Sequence, residues 1–252
     1  MKKSLFIGLS LCIALNYIHL LQAQNSIKMY TFYTSSHVKL KDIWVNSLKD
    51  ENIERIIKEF PQECKSGKLF SKGWKEAMLR KVDMILEAIR TNWGDVVIYS
   101  DIDIEFFQPI GEKIMELIGS KDLVIQRDTP SGMVCAGFFA LRANERTQSL
   151  WKGIRNYMIT HNERSDQKTL NKLLRKNNDN TVNPYGVVWD YLPKEFLGGA
   201  TLTGVGWKVG KKLFIPSDIA MLHANWAGGI EGKLALLSYV RGVVEKRKFK
   251  KI

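Results

Sequence analysis

The run Asp95-Val96-Val97-Ile98-Tyr99-Ser100 is a nearly continuous apolar stretch of strand length, with Gly94 before it and Asp101 and Asp103 after it. A strand without polar alternation has both faces covered, which places it inside a sheet flanked by helices. The sequence around it alternates accordingly. Ser26 to Tyr33 is rich in β-branched and aromatic residues and reads as a first strand running into Thr34-Ser35-Ser36, with a helix from about His37. Ser71 is expected to cap a second helix, in which Trp74, Met78, Val82, Ile85, Leu86 and Ile89 form one apolar stripe. A helix over 111–118, a strand near Leu123 to Gln126 and an apolar strand from Val134 to Leu141 follow. Asn144 should cap a helix reaching about Tyr157, and Ser165 another that buries Leu170, Leu173 and Leu174. This order predicts an α/β fold with a mostly parallel central sheet and helices on both faces, where ligands gather beyond the carboxyl ends of the strands. With 252 residues and no compositional break, one domain is expected.

Met1 to Ala23 has two lysines, an apolar run from Ser4 to Leu21 and a small residue at its exit. It reads as an export signal cleaved after Ala23, or as an N-terminal anchor if uncleaved, so the protein is expected outside the cytoplasm or on a membrane. Net charge falls only from +12 to +10 once Lys2 and Lys3 are removed, so the remaining body is basic and suits anionic partners without choosing among them. From about residue 241 a basic tail is expected, including Lys246-Arg247-Lys248-Phe249-Lys250-Lys251; it reads as a solvated, frayed end, with a membrane surface as the alternative contact. Outside the signal there are two cysteines, Cys64 and Cys135, which leaves one disulfide open, and no CxxC pair suggests zinc or redox chemistry.

Asp101 and Asp103 flank one apolar residue at a strand end. In extended geometry positions i and i+2 share a side, so both carboxylates converge, and a hard divalent cation is their natural counter-charge. A pair of solvated loop acids is the plain alternative. Gly137, in Cys135-Ala136-Gly137-Phe138-Phe139, either admits a ligand close to the backbone or serves helix packing. Asp166, opening the helix after Ser165, either serves a ligand or favours the helix dipole. In His223-Ala224-Asn225-Trp226-Ala227-Gly228-Gly229-Ile230-Glu231-Gly232-Lys233, the imidazole could join a manganese shell, and a glycine-rich turn followed by lysine suits a diphosphate.

Taken in order, these segments resemble the nucleotide-diphospho-sugar transferase family, GT-A-fold glycosyltransferases related to plant cell-wall galactosyl- and xylosyltransferases, over roughly 27–235. The carriers are Tyr33-Thr34, Trp74 and Lys81, Tyr99-Ser100-Asp101-Ile102-Asp103, Cys135 to Phe139, Asp166-Gln167 and His223 to Trp226. The resemblance implies a single Rossmann-like GT-A domain from residue 24 onward. It also implies a metal-dependent, retaining transfer from a nucleotide sugar, with a UDP-sugar favoured, to a glycan, protein or lipid acceptor, and no nucleic-acid partner. Mn²⁺ or Mg²⁺ would be held by Asp101, Asp103 and His223. Tyr33 and Thr34 would lie by the base, and Lys81, Asp101, Gly137 and Lys233 would contact the donor. Asp166 and Gln167 would stand at the sugar as catalytic residues, with Gln126, Arg127 and Asp128 as further donor or acceptor contacts. Related retaining enzymes often place the lysine six residues after the histidine, whereas Lys233 follows His223 by ten. Two other classes compete: a haloacid-dehalogenase-type phosphatase, which also sets an aspartate pair after an apolar strand, and a catalytically silent carbohydrate-binding protein of the same fold.

Overall fold

A computed structural model describes residues 26–64, 71–174, 183–199 and 206–249; the expected signal lies outside them. Six strands form the main sheet: β1 (Ile27–Tyr33), β2 (Ile53–Glu59), β3 (Val96–Ser100), β5 (Leu123–Arg127), β6 (Val134–Arg142) and β7 (Trp189–Tyr191). Three more make a small sheet, in the order β4 (Ile104–Phe106), β9 (Met221–His223) and β8 (Phe196–Gly198). The main sheet runs β2-β1-β3-β6-β5-β7 and is parallel except for β6, which is antiparallel to both neighbours.

Helices cover both faces, as expected. On one lie α1 (Val38–Ser47), α3 (Gly111–Ile118), the small sheet and α6 (Gly229–Phe249); on the other lie α2 (Trp74–Thr91), α4 (Glu145–Thr160) and α5 (Asp166–Leu173). Side chains alternate along each strand, so β3 sends Val96 and Ile98 into the first core and Val97 and Tyr99 into the second. Likewise β6 sends Phe138 and Ala140 one way, and Phe139 and Leu141 the other. Both faces of these central strands are therefore dry, and only their ends remain for polar chemistry.

Local signals held at two helix starts and failed at a third. Asn144 closes a capping box with Thr147, and the Ser165 hydroxyl accepts from Lys168 N–H. Ser71 does not cap α2: Gly73, at φ 84°, holds that position, and the Ser71 hydroxyl instead meets Cys64 Sγ at 3.0 Å. Any Cβ at residue 73 would stand 2.0 Å from the Glu63 carbonyl oxygen, so the left-handed, tight turn requires glycine. Cys64 and Cys135 are not joined by a disulfide. The expected tail from about 241 is helical to Phe249, because Arg241 pairs with Glu105 at 2.6 Å and Arg247 donates to the carbonyls of Ile215 and Pro216. Among the described residues no helix is long and apolar enough to cross a membrane.

Candidate active site

Asp101 leaves the carboxyl end of β3 beside the start of β6, and its N–H donates to the Gly137 carbonyl at 2.6 Å. Because β6 is antiparallel, its first residues reach the same edge of the sheet where β3 ends. The small sheet then brings in a distant segment: Ile104 of β4 pairs with His223 of β9, and Ala224 N–H donates to the Asp103 carbonyl at 2.9 Å. His223 Nε2 consequently lies 3.2 Å from Asp103 Oδ1 and 3.7 Å from Asp101 Oδ2. One ligand atom from each of Asp101, Asp103 and His223 falls within 4.8 Å of the others.

Gly137 makes this convergence feasible. A Cβ there would come 2.2 Å from His223 Cε1 and 2.6 Å from Asp101 Oδ2, so the space a side chain would need is already taken by the imidazole and a carboxylate. Neither a helix nor open space for a ligand lies directly over the missing side chain.

Cations surround the acids. Lys233 donates to Asp103 Oδ2, while Lys81 Nζ lies 3.2 Å from Asp101 Oδ1 and 3.0 Å from Asp166 Oδ2. The Lys233 position differs from the expected glycine-rich turn: Gly229 begins α6, and its first turns direct the lysine at Asp103. Ten residues after the histidine, the lysine still reaches the acids. The Tyr99 hydroxyl donates to Asp101 Oδ1 at 2.8 Å. Burial would push the Lys81 ammonium down, but Asp101 and Asp166 together raise it well above the usual lysine range. Burial likewise works against ionised Asp103, yet Lys233 and His223 hold it well below the usual carboxylate range. Burial works against protonation of His223 as well, but Asp103 and Cys135 push its pKa well above an ordinary histidine. These neighbours therefore favour the anionic form of Asp103 and the cationic form of His223 beside it.

Asp166 is 4% exposed, and its Oδ2 makes no hydrogen bond despite its proximity to Lys81. Through Lys81, which pairs with both, this buried acid at a helix start is tied to Asp101. Next to it, Gln167 accepts from Ala136 N–H and donates to Asp128 Oδ2 at 3.0 Å. Asp128 is fully buried and also accepts from Asn225 and from Trp226 Nε1, while Arg127 lies over the Tyr191 ring at 4.1 Å. Gln126, also fully buried, bonds to His223 and to the Phe196 carbonyl. These three residues, expected as donor or acceptor contacts, thus divide: Gln126 and Asp128 hold the walls of the site, and Arg127 stacks on Tyr191.

At the end of β1, Tyr33 bonds through its hydroxyl to Glu59 and is spanned by Lys41, and the Thr34 hydroxyl lies 2.9 Å from His37 Nδ1. His37 escaped sequence reasoning. Burial lowers its pKa, Asp103 and Asp101 pull it up and Lys233 pushes it down, so it lies within electrostatic reach of the acidic pair. A histidine at a helix start gives no pattern by which it could have been singled out. Tyr99 was legible: two residues before Asp101 on a strand, it shares that residue's side.

The family of nucleotide-diphospho-sugar transferases matches residues 32–237, most of the chain. No curated protein matches it. Among solved structures, a glycosyltransferase involved in glycosylation of the major capsid of PBCV-1 superposes with a TM-score of 0.56 at 11% identity, over 83% of this chain and 98% of that one. The galactosyltransferase LgtC, with donor and acceptor sugar analogues, gives 0.49 at 11% identity over 79% and 87%. GlyE of Streptococcus pneumoniae TIGR4 gives 0.46 at 15% identity over 68% of this chain, which spans only 46% of GlyE. Such identities speak to the fold alone, and the capsid glycosyltransferase carries that likeness. On the family match and this fold, the chain belongs to the nucleotide-diphospho-sugar transferase family, the nucleotide-sugar-dependent glycosyltransferases of GT-A fold.

Proposed function

We propose that the protein transfers a sugar from a nucleotide-diphosphate donor, a UDP-sugar by preference, to a glycan, protein or lipid acceptor, using Mn²⁺ or Mg²⁺ held by Asp101, Asp103 and His223. The observation that carries this reading is the convergence of those three ligand atoms within 4.8 Å. The donor set fits the group: two carboxylate oxygens and an imidazole nitrogen suit Mn²⁺, and the carboxylates tolerate Mg²⁺. As Lewis acid, the bound metal would offset charge on the diphosphate oxygens.

During transfer the acceptor hydroxyl oxygen bonds to the anomeric carbon and passes its proton to the departing diphosphate, as the bond from that carbon to the diphosphate breaks with its electron pair leaving on the diphosphate. Lys233, partly exposed and paired with Asp103, would turn to the leaving phosphate. Lys81 pairs with Asp101 Oδ1 and Asp166 Oδ2 and fixes both carboxylates, and Asp166 would accept from a sugar hydroxyl beside it. Gln167, braced by Ala136 N–H and Asp128, stands beside it at the sugar. Retention of anomeric configuration follows from the family resemblance and is part of the proposal. Export or anchoring through Met1 to Ala23 rests on the charge and apolar pattern of that segment. The haloacid-dehalogenase-type phosphatase loses its ground to the family match.

A thermal-shift screen of UDP, GDP and CMP sugars with and without Mn²⁺ tests the reading, since a ligand that binds the native state raises its apparent stability. A UDP-sugar shift that requires Mn²⁺, followed by turnover that stops in excess chelator, is the expected result. Equal turnover in chelator would sink the metal assignment. Binding without turnover of any nucleotide sugar, even to free sugar, would favour the silent-fold alternative.

A further inference from the structure

His223 can present either ring nitrogen in its neutral form, and one residue of the wall decides which. Gln126, on β5, is fully buried, and its amide spans the gap between the main sheet and the small one. Its Nε2 donates to the Phe196 carbonyl of β8 at 3.0 Å, and its Oε1 lies 2.9 Å from His223 Nδ1 on β9. A backbone carbonyl can only accept, so the Phe196 oxygen fixes which way the amide points. The oxygen end must then face Nδ1, and an amide oxygen can only accept as well. Nδ1 therefore carries a hydrogen, and Nε2 of the neutral ring carries the lone pair. That lone pair points at Asp103 Oδ1 and Asp101 Oδ2, 3.2 and 3.7 Å away. In the neutral ring, three electron-rich atoms facing one another in a buried pocket repel unless a second proton or a metal ion joins them.

Cys135 is the other neighbour of Nδ1, with Sγ at 3.5 Å. It does not reverse the assignment. Sulfur is the weaker partner, and Asn225 Nδ2 already points at it from 3.7 Å. Turning the Gln126 amide round would also set its oxygen against the Phe196 carbonyl.

We propose that Gln126 is the positioning residue that selects the His223 tautomer and thereby makes Nε2 the nitrogen offered to a divalent cation. The inference rests on the proposed metal site, but concerns a residue that touches neither cation nor substrate. Outer partners of metal-bound histidines hold ring and tautomer in this way, and their loss typically costs tenfold to a hundredfold in metal affinity.

The test titrates full-length protein with Mn²⁺ and follows the signal of the free aqueous ion by electron paramagnetic resonance. In parallel, long-range ¹H–¹⁵N spectra record the histidine nitrogens of the Mg²⁺-saturated protein. Gln126→Leu is expected to lower Mn²⁺ affinity about tenfold or more. Gln126→Glu is the rescue: in its protonated form it donates to Phe196 and accepts from Nδ1, so affinity should remain within about threefold of wild type, a small part of the loss expected of the leucine variant. It also keeps the test open should the leucine variant fail to fold. In wild type the His223 proton should sit on Nδ1. Equal Mn²⁺ affinity in folded Gln126→Leu, a loss in Gln126→Glu as deep as in the leucine variant, or a proton on Nε2 would overturn the inference alone. Wild-type protein that takes up no Mn²⁺ would overturn the metal site and this inference with it.

Discussion

Aspartates at opposite edges of the main sheet contrast an acid saturated by its surroundings with a group of acids whose oxygens face one another. Asp122, just before β5, is saturated: it accepts from Arg146 at 2.8 and 2.7 Å, from Asn144 Nδ2 at 2.7 Å and from Val188 N–H at 2.9 Å. Each of its oxygens accepts two hydrogen bonds. Asp101 and Asp103 also have cationic partners, but each keeps an oxygen turned toward His223 Nε2, and Asp166 keeps one without a hydrogen bond. Asp122, Asp103 and Asp166 are all buried, so burial does not separate the two regions; the direction of the carboxylate oxygens does.

Asp103→Asn should produce the largest separation between the regions. It removes one negative ligand from a hard cation and unbalances Lys233, and should cost at least about 3 kcal/mol of transition-state stabilisation, on the order of a hundredfold or more in kcat/KM. The melting temperature should fall as well, because Lys233 and His223 lose their carboxylate charge, but the loss of kcat/KM in folded protein should be the larger effect. Steady-state kinetics with the donor found by the thermal-shift screen checks the first part, and calorimetry the second. Full activity would place Asp103 with Asp122, among the acids of the fold.

Asp122→Ala should do the reverse, with kcat/KM intact and stability lower by about 2–3 kcal/mol, because the Asn144 and Val188 donors lose their acceptor. Arg146 adds little to that figure, since its side chain is 52% exposed and water can take over its bonds. Urea unfolding of the variant measures it.

The comparison also has a pH signature. Burial would raise the Asp122 pKa, but Arg146, Val188 N–H and Asn144 outweigh burial and depress it. A depressed carboxylate stabilises the fold fully above the unfolded value of about 3.9 and loses that contribution as pH falls through the lower folded value. The stability gap between wild type and Asp122→Asn should therefore be flat near neutrality and shrink only in strong acid. A gap that closes instead above pH 5 would show that the Asp122 donors do not hold its charge.

Much of this contrast was readable in the sequence, for reasons that differ between residues. The β3 run and the two acids were legible because strand burial and i, i+2 geometry are local properties. The caps at Asn144 and Ser165 were legible for the same reason. The antiparallel course of β6 was not, since an apolar run reads alike in both directions, and direction is set by which neighbour it pairs with. Strands of three residues such as β4, β8 and β9 lie below any periodicity, yet the β4–β9 pairing is what carries His223 to Asp103. Gly229, Gly232 and Gly242 disguised α6 as a turn and a tail, and the helix hides its reason for persisting in distant partners, Glu105 and the carbonyls of Ile215 and Pro216. Gln126 was read as a donor or acceptor contact from its polarity, and its burial between His223 and the Phe196 carbonyl was not visible in the sequence.

The smallest expected effect sharpens the comparison most finely, because it uses one kind of bond in both regions. Asn144 and Ser165 each accept a backbone N–H at a helix start, from Thr147 at 3.0 Å and Lys168 at 3.1 Å. Replacing either with alanine should cost about 1 kcal/mol of stability, with somewhat more for Asn144 because it also donates to Asp122. Only Ser165→Ala should also reach the chemistry. The first turn it caps begins with Asp166 and Gln167, so fraying there lets the Lys81-bound carboxylate and the amide between Ala136 and Asp128 wander from the sugar. A severalfold fall in kcat with little change in nucleotide affinity is expected, small beside the roughly hundredfold expected for a lost charged ligand. If Asn144→Ala and Ser165→Ala lose equal stability and neither changes turnover, α5 is a structural helix that happens to start near the site. A turnover loss confined to Ser165→Ala makes its cap part of what keeps the donor sugar in line.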